Sequence, residues 1–150
     1  MAEQLDDRLW LTRAVELSRA CRPLATAFCV GAIVVAADGS ELARGYSREA
    51  DPHEHAEEAA LAKIAPGDLR LAGATIYSSL EPCTERRSRP RTCTDLILAT
   101  PISRVVIAWR EPPTLVNRCD GVEQLEAAGR TVLEFPDLAA RVAALNAHLA

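Results

Sequence analysis

His55-Ala56-Glu57-Glu58-Ala59-Ala60-Leu61-Ala62-Lys63-Ile64 opens with an imidazole and a carboxylate two residues apart, then runs on alanine-rich and apolar on one side until Pro66-Gly67 stops it. That composition predicts a helix over Ala56 to Ile64 with His55 and Glu57 at its start. On a regular helix, residues two apart face nearly opposite ways. In the first turn the chain is still coming in, so both side chains can aim at one point beyond the helix end. Pro82-Cys83 and Cys93 follow downstream. One imidazole and two thiolates make a three-ligand tetrahedral set for Zn²⁺ and leave the fourth position to water, as catalytic zinc sites do. Two thiolates cancel the charge of the ion, so a water there gains from a nearby carboxylate that takes its proton, a role that falls to Glu57.

Working outward, Asp6 to Arg19 sets Leu9, Leu11, Ala14, Val15 and Leu17 among charges in a helical rhythm that Cys21-Arg22-Pro23 ends. Phe28 to Ala36 is almost continuously apolar and closes at Ala37-Asp38-Gly39-Ser40; Glu41 to Gly45 returns, which predicts a hairpin of two strands. Ala74 to Leu80 reads as a third strand running into Glu81-Pro82-Cys83, and Cys93 to Ala99 as a helix opening on the second cysteine. Two helix N-termini thus face the site, and their positive ends favour a thiolate at Cys93 and at Cys83. Arg104 to Trp109 is a fourth strand, Gly121 to Ala128 a helix, Thr131 to Phe135 a fifth strand and Asp137 to Leu149 a final helix. A helix between the last two strands implies a right-handed crossover and a parallel pair. The expected fold is α/β: a three-layer α/β/α sandwich around a five-stranded mixed sheet.

A chain of 150 residues is expected to form a single domain that buries about 70% of its unfolded surface and needs no disulfides to fold. The N-terminus carries no apolar targeting segment and no apolar run is long enough to span a bilayer, so a soluble cytoplasmic protein with no membrane partner is expected. A formal net charge of −4 argues against a large nucleic-acid footprint, which would favour a basic surface.

Taken together, His-Ala-Glu, Leu80-Glu81-Pro82-Cys83 and Cys93 resemble the motif of the zinc nucleobase deaminases, and with Val30-Gly31-Ala32 and the crossover to a fifth strand they resemble the cytidine-deaminase-like superfamily over nearly the whole chain. The usual motif has two residues between its cysteines; here nine intervene, Thr84 to Thr92, so a looped excursion must bring Cys93 back. A long loop there, with Arg110-Glu111-Pro112-Pro113, Gly121 and Leu125-Glu126-Ala127-Ala128-Gly129, looks like the deaminase domain of the bifunctional riboflavin-pathway enzyme. That resemblance implies loss of an amino group from a phosphoribosylated diaminopyrimidinone, with Zn²⁺ as cofactor, a small-molecule substrate and a homodimer or homotetramer. The chain departs from that branch at Ala27-Phe28, where the family has asparagine-proline, at Glu85, where it has histidine, and in having no reductase segment after it.

Arg86, Arg87, Arg89 and Arg91 concentrate positive charge in the inter-cysteine loop. They are either a solvated basic loop or a clamp for a substrate phosphate, to which planar guanidinium groups bond in pairs. By resemblance Arg89 is the foremost candidate. His53 is expected at the pocket rim and Glu58 as a solvated helix charge. Cys21, Cys29 and Cys119 lack partners at metal spacing and are expected to be small, unreactive side chains. Deamination of a free base or nucleoside (cytosine or cytidine, guanine or adenine type), tRNA adenosine deamination and a zinc-stabilised binding module stand as the alternatives.

Overall fold

The computed structural model describes residues 2–116 and 118–149, with side chains from residue 6 on. Its main elements are α1 (Ala2–Leu17), β1 (Gly31–Val35), β2 (Glu41–Tyr46), α2 (Ala56–Leu61), β3 (Thr75–Leu80), α3 (Cys93–Leu98), β4 (Arg104–Trp109), α4 (Gly121–Ala127), β5 (Thr131–Glu134) and α5 (Ala139–Leu145). The five strands form one sheet in the order β2-β1-β3-β4-β5. β1 runs antiparallel to both β2 and β3, while β3, β4 and β5 are parallel, so the mixed sheet expected from the sequence is present. No helix among the described residues is long and apolar enough to cross a membrane.

The continuous apolar runs are explained by burial on both faces of the sheet. In β1, Ala32 and Val34 join Ala56 and Ala60 of α2, Ile97 of α3 and Leu125 of α4 in one core. Ile33 and Val35, one residue out of step, join Leu11, Ala14 and Val15 of α1 and Val142 of α5 in the other. β4 divides likewise, with Val105 and Ile107 on the first face and Val106 and Ala108 on the second. The result is the three-layer α/β/α sandwich, with α2, α3 and α4 against α1 and α5.

α2 lies very close to β2. A Cβ on Gly45 would sit 2.5 Å from the Ala60 nitrogen and 2.7 Å from the Ala56 oxygen, so only glycine lets the helix that follows His55 approach this near. α1 is fixed on the opposite face by a buried carboxylate. Asp7 is buried, accepts from the Tyr77 hydroxyl at 2.6 Å, and receives the Arg104 guanidinium through Nη2 at 2.7 Å, while Nη1 of the same arginine donates to Thr75 Oγ1 at 2.9 Å. Burial and the bonded Asp7 raise the Tyr77 hydroxyl above its ordinary pKa.

Two expectations are corrected here. The last helix does not run from Asp137 to Leu149: α5 covers Ala139–Leu145 between 3-10 turns at Pro136–Leu138 and Ala147–Leu149. It stops because Asn146 leaves the helical path and turns its amide to Cys29, accepting from Cys29 N–H at 2.7 Å and donating to Cys29 C=O at 3.2 Å. Cys21 and Cys29 are not independent thiols but form a disulfide, their Cα atoms 5.6 Å apart. Metal spacing in the sequence does not register such a pair, because it depends on the 22–28 segment turning back, with Ala27 N–H donating to Leu24 C=O at 3.3 Å.

Replacing Asp7 by alanine would leave the buried Tyr77 hydroxyl without its acceptor and remove the ion pair that ties α1 to Arg104 of β4. Asp7→Ala is expected to lower the unfolding free energy by about 3 kcal/mol in urea titration with little change in slope.

Candidate active site

The site lies at the C-terminal end of β3, where the starts of α2 and α3 meet. His55 is the residue before α2 and has extended backbone (φ −90°, ψ 160°), which takes its side chain off the helical ladder and turns it past the helix end. The Glu58 carboxylate accepts from His55 N–H at 3.2 Å and fixes that bend. Cys83 follows β3 after Glu81-Pro82, and Cys93 is the first residue of α3, whose start is capped by Thr92: Oγ1 accepts from Asp95 N–H and the Asp95 carboxylate accepts from Thr92 N–H, each at 3.1 Å.

The nine-residue excursion between the cysteines is closed by backbone bonds at its base. Cys93 N–H donates to Cys83 Sγ at 3.3 Å, Thr94 N–H to Cys83 C=O at 3.2 Å, and Thr94 Oγ1 to Pro82 C=O at 3.2 Å. These bonds return Cys93 to the side of Cys83 after the excursion. The His55 Nδ1 atom lies 3.3 Å from Cys93 Sγ and 3.6 Å from Cys83 Sγ, and all three ligand atoms fall within 4.8 Å of one another. Tetrahedral zinc with bonds of about 2.05 Å to nitrogen and about 2.3 Å to sulfur needs an N···S separation of about 3.6 Å, so the three side chains fit the ion.

The two thiols are not alike. Cys83 is depressed to about 4 because it accepts from Cys93, with His55 adding to the effect. Cys93 is pushed up, because it supplies that hydrogen bond and is buried. A dication would hold both sulfurs deprotonated. Glu57 is buried, and burial raises its carboxyl to about 7, the Cys83 negative charge adding to the shift. A carboxyl poised near neutrality can both take and return a proton.

His55, Glu57 and Cys83 line a cleft of about 480 Å³, a volume suited to a small heterocycle. Its walls come from the 24–28 segment, from Ser47 and Arg48, from Pro52 to Glu54, from Glu85 to Ser88 and from Glu111, Leu115 and Val116. His53 is exposed on the rim, as expected.

The arginines are placed differently from one another. Arg86 has a side chain only 2% exposed and donates through Nη2 to His53 C=O at 2.7 Å and to Glu58 Oε1 at 2.8 Å. Arg89 pairs with Asp51, and with Glu58 at 3.2 Å. Arg87 is exposed and lines the cleft; Arg91 is exposed and, like Arg89, is not a lining residue. Glu58 is thus not the solvated charge expected. It joins the arginine loop to the start of α2, because the loop folds back over the first turn of the helix.

Two functional side chains were not singled out from the sequence. Glu81 is buried and accepts from Glu111 N–H at 3.0 Å and from Val122 N–H at 2.9 Å, holding the chain after β4 and the start of α4 beside the ligand cysteine. Gly121 permits this, since a Cβ there would lie 2.4 Å from Pro82 C=O. Glu111 faces the cleft, and burial first, then the Cys83, Glu81 and Glu57 charges, raise its carboxyl to about 8. The available signal for Glu81 was a charge set between a buried strand and a ligand; Glu111 carried no comparable signal in the sequence.

The family described as cytidine and deoxycytidylate deaminase zinc-binding region matches residues 5–109. The chain is 41% identical over 128 residues to the diaminohydroxyphosphoribosylamino-pyrimidine deaminase of Schizosaccharomyces pombe, a match covering 83% of this chain and 31% of that protein. It is similar in structure to a diaminohydroxyphosphoribosylaminopyrimidine deaminase/5-amino-6-(5-phosphoribosylamino)uracil reductase from Thermotoga maritima, with a TM-score of 0.78 and 33% identity over 95% of this chain and 40% of the other. Rib2 deaminase of Aspergillus oryzae in complex with DARIPP shares the fold at a TM-score of 0.82 and 22% identity, covering 95% of this chain and 91% of that one. The chain spans 31% and 26% of the length of two curated relatives, those of S. pombe and Aquifex aeolicus. Because the matched region carries His55, Glu57, Cys83 and Cys93, the chain belongs to the cytidine and deoxycytidylate deaminase zinc-binding family.

Proposed function

We propose that this chain is a zinc-dependent hydrolytic deaminase of an amino-substituted pyrimidine, and that its substrate is a phosphoribosylated diaminopyrimidinone. The observation that carries the reading is the convergence of His55, Cys83 and Cys93 at zinc-ligand separations beside buried Glu57, on the wall of one cleft. The names of the relatives from S. pombe and T. maritima support the substrate.

Held by His55, Cys83 and Cys93, zinc would supply a Lewis acid that makes water acidic enough to attack near neutral pH. Glu57 takes a proton from the attacking water and delivers it to the ring nitrogen of the amidine, so that the amino-bearing carbon gains a C–O bond. The same carboxyl then relays a proton to the amino group, the C–N bond breaks, and ammonia leaves as a neutral molecule. Water and amidine thus become a ring carbonyl and ammonia. Burial raises the Glu57 carboxyl, zinc beside it would offset part of that rise, and the enclosed position keeps bulk water from competing for the proton. Glu111, on the cleft wall with its carboxyl raised to about 8, is placed to hydrogen-bond the polar edge of the heterocycle.

For the phosphate, Arg87 is the exposed loop arginine lining the cleft, Arg86 also lining it but pairing with Glu58, and His53 lies on the rim. A second reading, deamination of an unphosphorylated base or nucleoside, is favoured by the pairing of Arg86 and Arg89 with Glu58 and Asp51, which commits those two cations to the fold.

Elemental analysis is expected to find one zinc per chain. Chelation should abolish ammonia release while circular dichroism stays largely native; unfolding on chelation would instead mark a structural site in a binding module. Glu57→Gln should keep its zinc and fold yet lose about 10³-fold or more in kcat, measured as ammonia release. A screen of phosphorylated and unphosphorylated aminopyrimidines and aminopurines should give the highest kcat/KM with the phosphoribosylated diaminopyrimidinone. Equal or better turnover of the free base would favour the second reading.

A further inference from the structure

One wall of the cleft is the exposed segment between the disulfide-linked Cys21 and Cys29, from which Leu24, Thr26, Ala27 and Phe28 line the cavity. Its far end is held well: Asn146 brackets the backbone of Cys29, and Ala27 C=O lies 3.1 Å from His148 Nε2. At its near end Cys21 N–H donates to Ser18 C=O at 3.2 Å, and among the described residues the side chain from elsewhere in the protein that bonds this end is that of Arg48. Arg48 Nη2 donates to Arg22 C=O at 2.6 Å and to Cys21 Sγ at 2.7 Å, and Nη1 reaches Phe28 C=O at 3.4 Å.

Arg48 is itself unusual. Its φ is +60°, a backbone state that residues with a Cβ adopt only where surroundings hold them in it. The bend is held by Arg48 N–H donating to Glu54 C=O at 2.7 Å, one residue before the metal-ligand candidate His55. Arg48 therefore joins the cleft wall to the segment that places His55. Its acceptors are carbonyl groups and a disulfide sulfur, arranged along the inner side of the wall. Carbonyls spaced like this suit the planar fork of a guanidinium, which serves several acceptors at fixed angles, better than a single ammonium point charge.

We infer that Arg48 is a positioning residue for substrate binding: it sets the distance between the 22–28 wall and the floor of the cleft, and so controls how closely a heterocycle is held beside Glu57. The cleft wall and the ligand segment are separate stretches of chain, and among the described residues Arg48 is the side chain that bonds to both ends of the wall.

The inference rests on the deaminase reading for its kinetic part only; amide exchange tests it independently. Arg48→Gly is the informative variant, because glycine accepts the positive φ without strain while the whole side chain, guanidinium included, is removed. With the Cys21–Cys29 link confirmed by thiol titration, Arg48→Gly should speed hydrogen exchange in residues 24–28 by about tenfold or more while the strands β3 and β4 stay protected. KM should rise about tenfold with kcat within about threefold and zinc content unchanged, and Arg48→Lys should recover part of the loss. Unchanged exchange in 24–28, or faster exchange with unchanged KM, would overturn the inference. So would a joint fall of kcat, zinc content and thermal midpoint, which would give Arg48 a general structural role. If the wild-type protein released no ammonia from any aminoheterocycle, the deaminase reading would fail, and the exchange measurement alone would decide whether Arg48 positions the wall.

Discussion

The hydrogen bonds that return the chain to Cys83 after its excursion are what the rest of the site depends on. Cys93 N–H meets the Cys83 sulfur and Thr94 N–H meets the Cys83 carbonyl, so the second sulfur is held directly against the first ligand residue across the nine that intervene. The loop itself folds over the start of α2, where Arg86 and Arg89 pair with Glu58. A basic stretch in an acidic protein thereby becomes part of the support of His55.

Burial then sets the chemistry. The same low-dielectric floor that raises Glu57 to about 7 raises Glu111 to about 8, and both shifts are enlarged by the charge on Cys83. Clustered acids in such a place would be costly without a partner, and a dication beside them offsets much of that repulsion. Glu81 accepts from two backbone N–H groups, which makes it a strut between the ligand loop and α4.

Much of this was legible in the residues. The β4 boundaries coincide with the apolar run Arg104 to Trp109, and the helix start at Ala56 with the residue after the imidazole, because burial on two faces and an alanine-rich run leave clear local signals. The last helix was overread because its alanines continue past Asn146, whose amide has a tertiary partner no local rule registers. Glu58 was read as a solvated charge, and Arg86 and Arg89 as either a solvated loop or a phosphate clamp, because their pairing exists only once loop and helix meet. The Cys21–Cys29 link was missed for the same reason: its geometry comes from a turn, not from a spacing rule.

Residue type and order sufficed for the layers, for the parallel pairing of the fourth and fifth strands, and for naming the ligand and proton-carrier candidates, because hydrophobic period and ligand chemistry are carried by them. Tertiary structure alone decided which arginines are tied down, which acids are raised, and how the 22–28 wall is hung from Arg48. Those are consequences of distance and burial between segments far apart in the chain, and distance of that kind is not written in any local stretch of residues.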